Sequence, residues 1–191
     1  MVAALLMLLF FLLWASPPRQ LQNVLTDNIP KTQAFPLFYM RDMKTTQHAV
    51  DGRPAYQLQT VKFDYYAGRG STAAERQASG YAILEKPLLI FYGDQTSVWH
   101  LSAASGESRN DGELILLTGN VRLSQLQDGI ITTELTTQSM TVKPKEAFVE
   151  TRDTVVAKGV SGTMKATGVK SFINSNSIEF LSAVQGSYDR L

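Results

Sequence analysis

"LILLTGNVRL", residues 114–123, decides the fold, because its Gly119-Asn120 pair admits two readings. As the turn of a hairpin, the pair would set Leu116 opposite Leu123 and Leu117 opposite Arg122. As a kink inside one strand, it keeps Ile115, Leu117, Val121 and Leu123 on one face, with Gly119 between them. Leu114, Leu116, Thr118, Asn120 and Arg122 then share the other face. The alternation survives passage through the glycine, which a turn would not require. Glycine in mid-strand is a device for sharp curvature or close backbone approach. The kink is the preferred reading, and a Gly-Asn turn is the alternative.

The next turn lies at "QDGI" (127–130), since Asp-Gly is among the strongest short turn signals. A three-residue loop Asp128-Gly129-Ile130 would bring Leu135 opposite Leu123. In "VVAKG", Val155, Ala157 and Gly159 repeat the spacing of Ile115, Leu117 and Gly119, which marks Gly159 as a second kink. Curved strands stacked along one axis make an open sheet pair rather than a tightly closed barrel.

The rest of the chain reads the same way. "YQLQTVKFDYY" (56–66), "PLLIFYG" (87–93), "SVWHLSA" (97–103), "IITTELTTQSMTV" (130–142), "AFVET" (147–151), "DTVVAKG" (153–159) and "SIEFLSAVQGSY" (177–188) all fit strands. Only "STAAERQA" (71–78) suits a helical turn or two. The expectation is an all-β domain over residues 38–191.

Two segments precede it. "MVAALLMLLFFLLWAS" (1–16) has no charged side chain. As a helix it would span about 24 Å, against a bilayer core of roughly 30 Å. It reads either as an uncleaved membrane-anchor helix or as a cleaved secretory signal. A signal would carry a basic start and small residues at its cleavage site. Ala15-Ser16 are small, but Trp14 stands just before them. An anchor would carry Lys or Arg on its cytoplasmic side, and a start codon assigned too late would explain both departures. Either reading exports the remainder. Residues 17–37, with Pro17, Pro18 and Pro30, read as a linker.

Composition narrows the function classes. Of 191 residues, 44% are apolar and 18% charged, with a formal net charge of +1. Nucleic-acid binding would call for a basic excess or stripe. The absence of cysteine excludes disulfides and thiolate sites. His48 and His100 have no second ligand at metal spacing, and no Gly-x-Ser-x-Gly elbow occurs. "AGRG" (67–70) and "GVKS" (168–171) lack the core of a phosphate loop. Glu134, Glu146, Glu150 and Asp153 could supply a carboxylate pair for glycoside cleavage, but nothing in the sequence brings two of them together. No cofactor is expected.

Large apolar side chains on the curved strands are the positive signal. Leu58, Phe63, Leu89 and Phe91 are candidates for an inward face on the earlier strands. Trp99, Leu101, Ile115, Leu117, Val121 and Leu123 are candidates in the middle. Ile131, Leu135, Val155 and Phe180 follow toward the C-terminus. Ordinary core packing is one explanation; lining for an elongated apolar ligand is the other. Ten methylenes buried in such a groove would contribute on the order of 8 kcal/mol.

The chain resembles the LptC family of lipopolysaccharide export proteins, part of the OstA-like group that includes LptA. The resemblance rests on "DGRPAYQLQTVKFDYY" (51–66), "KPLLIFY" (86–92), "WHLSAASGESRNDGELILLTGNVRL" (99–123), "GTMKATGVKS" (162–171) and "AVQGSYD" (183–189), in that order. It implies a single-pass inner-membrane protein whose periplasmic domain is a twisted, V-shaped β-jellyroll. Such a protein would take lipopolysaccharide from an ABC transporter of LptB, LptF and LptG and hand it to LptA through an apolar groove. The resemblance places the LptA-facing edge near Ser177, Ile178, Phe180, Val184 and Tyr188, and the transporter near the first strands. Lys62, Arg122, Lys165 and Lys170 are candidate rim contacts for phosphates. Members usually carry basic residues before the apolar helix, and this chain does not. Two rival readings are a structural tether that binds no lipid and an exported carbohydrate-active enzyme on a β-sandwich.

Overall fold

The computed structural model describes residues 35–68, 71–93, 97–175 and 177–188. The expected anchor helix (1–16) and most of the linker lie outside these residues, and no described helix is long and apolar enough to cross a membrane.

Alternating apolar residues produce long antiparallel strands. In chain order these are β1 (Phe38–His48), β2 (Pro54–Tyr66), β3 (Tyr81–Glu85), β4 (Leu88–Tyr92), β5 (Ser97–Ser102) and β6 (Ser105–Arg109). They continue with β7 (Leu114–Gln127), β8 (Ile130–Lys143), β9 (Phe148–Gly159), β10 (Gly162–Phe172) and β11 (Ser177–Tyr188). One short helix, α1 (Ala73–Ala78), stands where the helical turn was expected. Each strand pairs antiparallel with its neighbours, and the described domain is all-β.

Leu114 to Gln127 form a single strand, so Gly119-Asn120 is a kink and not a hairpin. Thr118 pairs with Ser139 and Val121 with Thr137, which leaves Gly119 and Asn120 together opposite Gln138. Both residues adopt positive φ, +79° and +48°. The one extra residue on β7 makes a bulge that bends the strand while its own alternation runs on unbroken. Ile115, Leu117, Val121 and Leu123 are accordingly buried, and Thr118, Asn120 and Arg122 exposed.

The kink decides the layering. The first half of β7 pairs with β6, and its second half with β5. In the same way β2 pairs first with β4 and then with β3. β2 and β7 therefore pass from one layer, containing β4 and β5, into another containing β3 and β6. Between the layers lies a single core that includes Trp99, Phe91, Leu84 and Leu117. The crease continues through β10 at Gly168 (φ +78°) and β11 at Ala183 (φ +50°).

Where backbone pairing lapses along the crease, hydroxyls take over. Buried Thr60 donates to the Glu85 carbonyl at 2.7 Å, and Thr137 to the Thr154 carbonyl at 3.1 Å. Ser139 donates to the Asp153 carboxylate at 2.6 Å. The first two bonds satisfy backbone carbonyls that the lost ladder would leave unpaired.

Two expectations need correction. Asp128 and Gly129 form a two-residue turn with φ of +51° and +79°, because both left-handed residues match the twist of the flanking strands. Leu123 still faces Leu135, because Thr132 is an extra residue between the Gln125–Thr133 and Leu126–Ile131 pairs. Gly159 does not bend β9: it ends the strand and pairs with Gly162 across the Val160-Ser161 turn. The glycine that bends this region is Gly168 on β10.

Candidate functional site

Inward-facing side chains of the β4–β5 layer stand in rungs that cross the sheet from strand to strand. Nearest the crease, Val121 pairs with Thr137, and Val155 beside them pairs with Ala166. The next rung runs Leu101–Leu123–Leu135–Ala157–Met164–Gly186. The rung beyond it runs Trp99–Gln125–Thr133–Gly159–Gly162–Tyr188. The slot between the layers thus changes from apolar at the crease to polar at the strand ends.

Most of the expected inward residues line this core. Leu58, Leu89, Phe91, Trp99 and Leu101 are buried, as are Ile115, Leu117, Val121, Leu123, Leu135 and Val155. Phe63 and Phe180 are half-buried against them. Ile131 is 53% exposed on the outer face, because the extra residue Thr132 reverses the alternation there. Sequence periodicity also passed over Leu84, Met140, Val142, Val149 and Ile173, all buried in the same core.

The middle of the slot is closed: Leu89, Leu101, Leu117, Val121, Val149 and Val155 have no exposed surface. Its margins are not. β11 ends the strand order, with no further strand beside it among the described residues. Here Ile178 and Phe180 are half-buried, while Val184 and Tyr188 are 50% and 79% exposed. A cavity of about 550 Å³ opens at this margin, walled by Ala157, Met164, Ile178 and Phe180 and by Gln125, Gln127 and Thr133. At the β1 margin, Phe38 continues the inner face, stacked on Tyr65 with ring centroids 5.0 Å apart.

The four candidate phosphate contacts do not face the slot. Lys62 adjoins Phe63, Arg122 lies between Val121 and Leu123, and Lys165 and Lys170 alternate with buried residues of β10. Strand alternation turns all four outward. Lys62 is held by Asp64 at 2.5 Å, which raises its pKa, and Arg122 by Glu134 at 3.2 Å. A second cavity, of about 520 Å³, involves Arg53, Tyr92, Lys145 and Asn174. Arg53 pairs with Asp51 at 2.7 Å and Lys145 with Glu113 at 3.1 Å, so its cations are neutralised locally. Tyr56, half-buried against Phe91, has its hydroxyl pKa raised by burial, with Lys145 opposing the shift.

The carboxylates weighed for hydrolysis are dispersed. Glu134 pairs with Arg122, Glu146 with Lys143 at 3.5 Å, Asp153 accepts from Ser139, and Glu150 lies opposite Lys170. Among the described residues no three His, Asp or Glu side chains group to hold a metal ion.

A family model described as "Lipopolysaccharide-assembly, LptC-related" matches residues 1–189. No curated protein matches the chain. The crystal structure of LptH, the LptA-homologous periplasmic component of the conserved lipopolysaccharide transport device of Pseudomonas aeruginosa, is 9% identical. The likeness covers 67% of this chain and 95% of that one, with a TM-score of 0.45.

Proposed function

The chain belongs to the LptC-related lipopolysaccharide-assembly family, a non-enzymatic transport component, and from that premise we propose a relay role. It accepts lipopolysaccharide from an inner-membrane ABC transporter of LptB, LptF and LptG and passes it to LptA. The apolar segment 1–16 anchors it in the inner membrane, and the β-domain works in the periplasm.

The observation that carries this reading is the uncovered apolar inner face at the β10–β11 margin. A packed tether has no need to leave Met164, Ile178 and Phe180 bordering a cavity. Core residues such as Trp99 and Leu135 form the wall, and acyl chains lie against the margin. Each methylene buried there contributes about 0.8 kcal/mol before costs, which suits capture followed by release. β11, as an unpaired edge with Glu179 its one charged residue, offers LptA a strand to extend. β1, which lies off the strand order and pairs with β2, faces the transporter.

The test is ATP-driven transfer of lipopolysaccharide to LptA from proteoliposomes holding the transporter and this chain. Phe180→Glu places a charge in the slot margin; it should stop transfer while the variant still copurifies with the transporter. Undiminished transfer would leave only the tether.

A further inference from the structure

We infer that the outer rung at the β10–β11 margin is a sugar subsite, so that lipopolysaccharide lies with its saccharide toward the strand ends and its acyl chains toward the crease. This rests on the relay reading and adds the ligand's orientation to it. Across the rung, Gln125 stands beside Thr133, Thr133 beside Gly159, Gly159 beside Gly162 and Gly162 beside Tyr188. Gln127 lies one inward position farther out and borders the same cavity.

Three features select the ligand. First, amides and hydroxyls both donate and accept, as sugar hydroxyls do. A phosphate would instead call for inward cations, and among the described residues Lys158 is the one charged side chain bordering the cavity. Second, Gly159 leaves its place on the floor without a side chain, where an added Cβ would meet only the Thr132 carbonyl at 3.9 Å, while Gly162 lets the β11 backbone pack close beside it. A ring can approach the backbone at Gly159, with the exposed Tyr188 ring at the end of the rung. Tyrosine presents an apolar face with a polar tip, which matches a pyranose. Third, the adjacent rung toward the crease is apolar, with Leu135, Ala157 and Met164 in register. A volume of about 550 Å³ falls within the usual range for ligand sites, roughly 300–1,000 Å³.

The experiment uses the full chain in phospholipid nanodiscs. It measures affinity for lipopolysaccharide, for its fully deacylated oligosaccharide and for palmitate. The double variant Gln127→Leu/Thr133→Val should bind lipopolysaccharide roughly tenfold more weakly, the loss expected from two neutral hydrogen bonds, and palmitate as before. The near-isosteric Thr133→Val alone, about threefold weaker on the same scale, carries the test where the double variant fails to fold. Unchanged lipopolysaccharide affinity in folded variants overturns the subsite while leaving the relay reading intact. So does an equal loss for palmitate. Oligosaccharide bound as tightly as lipopolysaccharide would make this a free-sugar site and overturn the orientation. A wild-type chain that binds neither lipid removes the relay reading itself.

Discussion

Gly119→Ala, compared with Gly129→Ala, isolates what the kink requires. Both glycines sit at φ +79°, so both substitutions force alanine into the same left-handed backbone. That alone costs about 1–2 kcal/mol. Their surroundings differ. A Cβ at Gly129 meets nothing within 4 Å, whereas at Gly119 it lies 3.0 Å from the Ala104 Cβ. Ala104 cannot easily retreat, because its N–H donates to the Gly119 carbonyl at 2.8 Å. Overpacking of this kind adds about 1 kcal/mol or more. Gly119→Ala should therefore cost roughly 2–3 kcal/mol, lowering Tm by about 5–10 °C. Gly129→Ala should cost about half as much. Combining Gly119→Ala with Ala104→Gly should return the contact portion and leave the dihedral portion, which a double-mutant cycle separates. Urea denaturation followed by Trp99 fluorescence, in a Trp14→Phe background, provides the measurement. Equal costs at the two glycines, or no rescue by Ala104→Gly, would refute the crease as described.

Three further outcomes are expected. Leu135→Ala should cost about 2–5 kcal/mol, but Ile131→Ala no more than about 0.5 kcal/mol, by the same denaturation; comparable losses would return Ile131 to the core. Because burial raises the Tyr56 pKa above its ordinary value of 10.0, the stability it contributes is complete below that value and declines as pH rises through the folded-state value. Tyr56→Phe should flatten that alkaline decline, and an identical decline in the variant would rule out Tyr56 as its source. Val184→Lys should weaken LptA binding about tenfold without loss of folding, since it adds a charge beside the free edge; unchanged affinity in a titration would remove this part of β11 from the interface.

The spacing around Gly119 sufficed to place β7 and its inward residues, because a buried face imposes alternation on the sequence. It could not locate β6, "SGESR", which has no apolar residue and is a strand because β3 and β7 flank it. β1 escaped notice for the opposite reason: as an edge strand it is exposed on most positions, and its pattern carries no single face. Ile131 was misassigned because one inserted residue, Thr132, reverses the alternation without leaving a signal of its own. Gly159 and Gly168 look alike in sequence, and only strand pairing separates a turn from a bend. The polar rung at the slot mouth was equally hidden, since Gln125, Thr133 and Tyr188 are neighbours only through pairing across distant strands.

Face-selective photo-crosslinking on β11 tests the account most directly. A photoreactive residue replaces Phe180, which faces the slot, or its neighbour Glu179, which faces outward opposite Lys170. With transporter, lipopolysaccharide and ATP present, lipid adducts should form at position 180 and be scarce at 179. Equal labelling at both positions, or labelling only at 179, would contradict a lipid path between the layers.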